Sequence, residues 1–480
     1  MRRPSAAGLA LAALLTAAPA AANGLVTHVW VADQAIDRVA PGPLRDLLVD
    51  PALRGIVRNG AIYPDSGYSV DHPYGEWAHW ESLVEPYLQW IRQRYGAEGF
   101  VSAEARRHVA FLLGAGAHGM TDQTFDMLFM ARSRQYDGNV DDLDIGADAW
   151  LIVERGVGPA PDGVFDFDAL PDLHRDIMGP AVTPDILRNA AGRTAAATRL
   201  LGRLAAGIYR DHWVRMPWAG SHYLDPGTPG SYPVLVGAVA GYYTALWDRL
   251  HDRARSDAPP LVTWPADGAT NLPVDPDDIG TRAAMVFPIG IDRASLTTDN
   301  LRIVTEPGEA VPARVSRYGD DGNTVMVRPT APLAYNTLYR VEATTGLRLR
   351  TGVPLGRTVS IRFRTRCAPD HLADCPPLPA PFVAPSDPPV RDPAAAVRAR
   401  DAGAPVGPIV MVDDDAGTAP DASASLDAAT VPTNTPGGCG CATAPSPQGA
   451  TPVALLLTLG SLLHARRRRA RASTACVESG

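Results

Sequence analysis

Between residues 256 and 260, in the stretch SDAPP, the apolar spacing of this chain changes from one period to another. Before it, segments such as GLVTHVWVADQAIDRVA and HWESLVEPYLQWIRQRY carry apolar residues three and four apart, the spacing of one helix face. After it, LRIVT, ARVSR, TVMVR, LYRVEA and VSIRFRT alternate apolar and polar residues, and turn signals such as YGDDGN separate them. A pattern of period 3.6 does not sit as a strand, nor one of period 2 as a helix. The chain is therefore expected to be multi-domain: a mainly α-helical domain over 23–256, then an all-β sandwich over 259–367. Within the first, Thr183-Pro184 reads as an N-cap and first helical residue opening a helix to about Tyr209, and Pro233–Asp252 as another helix.

The ends read differently from the middle. Arg2 and Arg3, the apolar run Ala6–Ala18 and the small residues Pro19-Ala20-Ala21-Ala22 make a signal peptide over 1–22, so export is expected, with Asn23 as the mature N-terminus. Residues 376–437 are rich in Pro, Ala and Asp and poor in aromatics. Such a segment buries too little apolar surface to offset its ordering entropy and reads as a disordered linker. Residues 438–471 hold Cys439 and Cys441, the apolar run Val453–Leu463 and the arginines Arg466–Arg469. The apolar run is shorter than the ~20 residues that span a bilayer comfortably. Of the five cysteines, Cys367 and Cys375 are expected to pair in an oxidising compartment, and the absence of two well-spaced CxxC motifs argues against a cysteine zinc site. The net charge of −8, with every basic residue an arginine, argues against nucleic acid as a partner.

Chemistry concentrates in AFLLGAGAHGMTDQTFDML, residues 110–128. His118, Asp122 and Asp126 stand four apart, so a helix would present them on one broad face. Asp144 and Asp148 repeat that spacing in DDLDIGADAWL. Imidazole and carboxylate so arranged grip divalent cations, and carboxylates buried without a cation are costly. Asp65 in GAIYPDSGY, His79 in EWAHWESL and His28, five residues after Asn23, are further candidates, and the amine of Asn23 could itself be a ligand. The competing reading of the DDLD run is a solvated helix start. His72, His108, His174, His212, His222 and His251 read as surface or internally satisfied histidines.

THVWVADQAI, GAIYPDSGY, HWESL, FLLGAGAHGMTD and DIGADAW occur in the order seen in the zinc-dependent phospholipase C family. The resemblance is to the branch that includes the N-terminal domain of glycosylphosphatidylinositol-specific phospholipase D, and it covers roughly residues 23–155 well. It implies a mainly helical domain with up to three zinc ions. By resemblance, Asp65, His79, His118 and Asp122 hold the first ion. Asn23, His28 and a bridging Asp122 hold the second, and Asp126, Asp144 and Asp148 the third. The third set departs from the family pattern. Asp126 stands where a histidine is common, and the downstream pair is Asp/Asp rather than His/Glu, which suits calcium, magnesium or manganese. The implied activity is hydrolysis of phospholipids or related phosphodiesters by metal-activated water, with Asp65 orienting or deprotonating that water.

The alternatives are a single-strand nuclease of the same superfamily and a catalytically reduced surface binding or adhesion module. Residues 259–366 resemble a bacterial Ig-like domain, implying a spacer, and the C-terminus resembles a MYXO-CTERM sorting tail. That tail implies anchoring at the cell surface through the membrane and a sorting or processing protease as partner.

Overall fold

Gly60 and Gly114 lie at the crossing of two long helices, Pro51–Tyr68 and Ala103–Thr124, and the crossing is too close for side chains. A Cβ on Gly114 would stand 2.0 Å from the carbonyl oxygen of Val57, and one on Gly60 2.3 Å from that of Phe111. In this computed structural model the described residues are 24–96, 100–138, 142–158, 165, 167, 170, 174, 182–319 and 321–371. The expected signal peptide, Asn23, the linker over 376–437 and the tail over 438–471 lie outside them.

The N-terminal region is helical, as its apolar period requires. Capping follows local chemistry. Asp50 accepts from the amide of Ala52 at 3.0 Å ahead of Pro51, Ser102 from Ala105 at 3.1 Å, and Thr183 from Ile186 at 3.2 Å ahead of Pro184. The helix opened by Thr183 runs from Pro184 to Arg215, longer than the expected end near Tyr209. The helices Leu25–Ile36, Glu81–Tyr95, Leu143–Arg155 and Tyr232–Leu250 complete the frame around one apolar core. The Ala103–Thr124 helix runs through the middle of that core, with every residue from His108 to Thr124 buried. At Phe125 it continues as a π-helical turn, Phe125–Met130.

The second region is a β-sandwich of two four-stranded sheets. β1 (Val262–Trp264), β3 (Ala283–Val286), β6 (Thr324–Pro329) and β5 (Ala313–Arg317) form one, in the order β1-β3-β6-β5 and antiparallel throughout. The other has the order β2-β8-β7-β4, from β2 (Ala269–Leu272), β8 (Val359–Thr365), β7 (Leu338–Ala343) and β4 (Leu301–Thr305), with β2 parallel to β8. The alternating segments are strands β4 to β8. Their inward residues, among them Ile303, Val327, Val341, Ile361 and Phe363, fill the sandwich core. Cys367 is disulfide-bonded, and Cys375 lies outside the described residues.

The sandwich does not stand clear of the helices as a spacer would. Val286 of β3 belongs to the helical core cluster, and Leu261 and Val262 pack against it. The guanidinium of Arg132 lies 4.4 Å from the ring centroid of Trp264, and Gln135 accepts from the Ile279 amide at 2.7 Å. Among the described residues no helix is long and apolar enough to cross a membrane.

Substituting Gly114→Ala should force the two long helices apart and lower unfolding free energy by about 1–3 kcal/mol, the ordinary scale of overpacking. Urea denaturation of the full chain reads this directly, and an unchanged midpoint would mean that the crossing tolerates a methyl group.

Candidate metal centre

The Gly60–Gly114 crossing sets the register of everything one turn further along both helices. His118 stands four residues after Gly114, and its Nδ1–H donates to the carbonyl of Ala61 at 2.6 Å. A carbonyl can only accept, so the proton sits on Nδ1 and the Nε2 lone pair faces away from it. His79 is fixed in the same way, its Nδ1–H donating to Gly75 at 2.6 Å. The backbone of His79 presses against Gly119, where a Cβ would stand 1.9 Å from the His79 carbonyl oxygen. Asp65 closes the arrangement from the Pro51–Tyr68 helix, and His28 enters from the Leu25–Ile36 helix.

These five side chains meet at one buried locus. His79 Nε2 lies 3.4 Å from Asp65 Oδ1 and 3.5 Å from Asp122 Oδ2. His118 Nε2 lies 3.8 Å from Asp65 Oδ1 and 3.3 Å from Asp122 Oδ2. A tetrahedral ion with ligands at about 2.1 Å needs donor separations of about 3.4 Å, and these four imidazole–carboxylate separations lie near that value. His28 Nε2 faces the other oxygens, 3.1 Å from Asp122 Oδ1 and 3.9 Å from Asp65 Oδ2. Asp122 thus turns one oxygen to His79 and His118 and the other to His28, the disposition of a carboxylate that bridges two ions. The His28 and His118 rings stack at 3.6 Å.

Hydrogen bonding inside the protein does not account for this cluster. Both nitrogens of His28, both oxygens of Asp65 and Nε2 of His118 are buried without a well-formed hydrogen bond, His28 Nε2 approaching Asp122 at 3.1 Å. Unpaired buried polar atoms are expensive, and a cation supplies what they lack. The donor set, imidazole nitrogen with carboxylate oxygen, suits zinc.

The charges reflect the crowding. Burial alone would lower His79, but Asp65 and Asp122 outweigh it and raise its pKa to about 9. His28 is likewise raised, against burial, by Asp122 and Asp65. His118 is lowered, by burial and then by the neighbouring His28. Asp122 is held well below the usual carboxylate range despite burial, because His28 and His118 flank it.

The expected third set does not assemble. Among the described residues, the groups of metal-ligating side chains close enough to share an ion are His28, His118 and Asp122, and Asp65, His79 and His118. Asp148 accepts instead from the amides of Val26 and Thr27, at 3.1 and 2.8 Å, and from the Thr27 hydroxyl at 2.8 Å. It caps the Leu25–Ile36 helix, packed so closely on Gly24 that a Cβ there would stand 2.1 Å from its Cγ. Burial raises the Asp148 pKa to about 6 against those hydrogen bonds. Asp126 takes the hydroxyl hydrogen bond of Tyr318, from the sandwich, on Oδ2. The helix turns π-helical one residue before Asp126, so counting in fours from Asp122 no longer predicts its face. Burial, then Asp122, raises its pKa to about 7. Asp144 is buried in the first turn of its helix.

The histidines read as structural have protein partners: Tyr87 for His108, Tyr63 for His174 and Asp142 for His212. Tyr318 and Gln123 went unnoticed in the sequence, because their importance comes from domain docking, which no local pattern announces.

Residues 256–365 match the bacterial Ig-like domain family, so the sandwich is an Ig-like domain. No curated protein matches the chain. Among solved structures it aligns with the S-layer protein rSbsC(31-844) at 12% identity, over 68% of this chain and 46% of that one, with a TM-score of 0.18. It also aligns with the N-terminal part of the bacterial S-layer protein SbsC at 13% identity, over 68% and 79%, again at a TM-score of 0.18. The chain thus spans less than half of the first of these, and alignments at that score carry no argument.

Two outcomes follow from the geometry. His79, with its pKa near 9, is protonated at pH 7 without metal, so zinc uptake at pH 7 must release a proton. Zinc affinity should therefore rise with pH and flatten above about 9. Titration calorimetry in two buffers of different ionisation enthalpy measures the release, and equal heats would refute it. Asp148→Ala should cost about 1–3 kcal/mol of stability by orphaning the capped amides, while elemental analysis finds the same metal content as in the unaltered chain.

Proposed function

We propose that the helical region is a metal-dependent phosphodiesterase of the zinc-dependent phospholipase C type, exported and displayed at the cell surface. The observation that carries this reading is the convergence of His28, Asp65, His79, His118 and Asp122, in which polar atoms of His28, Asp65 and His118 are buried without hydrogen-bond partners. Asp65, His79, His118 and Asp122 would hold one ion, and His28 with the second oxygen of Asp122 would contribute to another. Clustered cations neutralise an anionic phosphodiester, stabilise its transition state and make bound water acidic near neutral pH. The chain's own groups then divide the work. The backbone carbonyls of Gly75 and Ala61 hold His79 and His118 in the tautomer that offers Nε2. Asp65, neither of whose oxygens has a hydrogen-bond partner, would orient the attacking water and accept its proton. Phospholipids and related phosphodiesters are the proposed substrate class.

The engagement of Asp148 by a helix end and of Asp126 by Tyr318 favours a second reading, a centre with fewer ions than three that binds rather than turns over its ligand. Elemental analysis of the purified chain, together with a chromogenic phosphodiester and a phospholipid vesicle assay, separates the two. Two or three zinc ions per chain with turnover supports the enzyme, and Asp122→Ala should then lose both metal and at least a hundredfold in rate. One ion without turnover of either substrate supports the binding module, and no bound metal would sink both.

A further inference from the structure

The loop between β5 and β6 of the Ig-like domain grips the residues that immediately follow two members of the metal cluster. Trp80, next to His79, packs edge-to-face on Tyr318 with ring centroids 5.4 Å apart. Gln123, next to Asp122, accepts from the amides of Asn323 and Thr324 at 2.6 and 2.9 Å and from the Thr324 hydroxyl at 3.1 Å. Glu81, two residues after His79, accepts from the Asn323 side chain at 3.3 Å. Tyr318 donates its hydroxyl proton to Asp126, one turn beyond Asp122, and the second oxygen of Asp126 is buried without a partner. One short loop therefore fixes the chain on both sides of the site.

We propose that this loop is a built-in support of the metal centre, with Tyr318 a positioning residue that acts through Asp126, so that ion binding and docking of the Ig-like domain are coupled. The inference rests on the reading of the cluster as a metal centre. Its physical basis is that metal ligands keep their geometry only when the groups behind them are held, and loss of such a partner typically weakens metal binding about 10–100-fold. Linkage makes the effect reciprocal: whatever docking adds to ion affinity, the ion adds to docking. The domain would then be part of the working site, not a stalk.

The test uses the full chain and zinc alone. Tyr318→Phe keeps the ring on Trp80 and removes only the hydroxyl; it should bind zinc about tenfold more weakly. Asp126→Asn should weaken binding similarly, and the double variant should be no weaker than the weaker single, because the two act through one contact. In the unaltered chain, zinc should slow amide hydrogen exchange across residues 318–324, a readout that needs no variant to fold. If the chain binds zinc but the variants match it and exchange in the loop ignores the metal, the coupling is overturned and the metal centre stands. Additive losses in the double variant would also overturn it, since Tyr318 would then act elsewhere. A chain that takes up no zinc removes the metal centre itself and the coupling with it.

Discussion

The close approach of the Pro51–Tyr68 and Ala103–Thr124 helices at Gly60 and Gly114 is the constraint from which the site follows. With no Cβ on either glycine, backbone meets backbone, and the Ala61 carbonyl comes within hydrogen-bond reach of His118. Any larger residue there would separate Asp65 from His118. A third glycine, Gly119, lets the segment carrying His79 lie against the same helix. Small residues are thus placed where ligating side chains must converge from different elements, and the ligands are long enough to close the remaining distance.

The energetics of that convergence are unfavourable by themselves. Two carboxylates and three imidazoles are buried together, several of their polar atoms with no hydrogen-bond partner. Burial of charge is tolerated where it is compensated, and the rest of this molecule follows that rule. Glu81 is buried but receives Arg249, Tyr242 and Asn323, and Glu154 is buried between the hydroxyls of Tyr209 and Tyr223. In the cluster around Asp122, by contrast, polar atoms of His28, Asp65 and His118 have no hydrogen-bond partner, and that contrast within one protein is the physical ground for proposing cations there.

The Ig-like domain alters the picture of a catalytic head on a stalk. It shares apolar packing with the helical core through Val286, and it holds Gln123 and Asp126 on either side of the turn that follows Asp122. Such contacts oppose independent movement of the two regions.

Legibility followed the range of the interactions. The change of apolar period near residue 256 marked helices before and strands after, and the strands β4 to β8 stand where the alternation placed them, because amphipathic period is a local property. The i, i+4 spacing of His118 and Asp122 was equally local, since one α-helix carries both. His28, Asp65 and His79 were nominated by motif order, yet only the helix crossing decided that they meet. Asp126 and Asp148 went elsewhere for reasons that no spacing reveals. A π-helical turn changed the face of the first and turned it to Tyr318, and a neighbouring helix end claimed the second for its free amides. Sequence by itself determined which segments are helix, which are strand and which residues have metal-binding chemistry, because those depend on near neighbours. Tertiary structure alone decided which of them share a site, because that depends on how closely two backbones can approach and which donor reaches each carboxylate first.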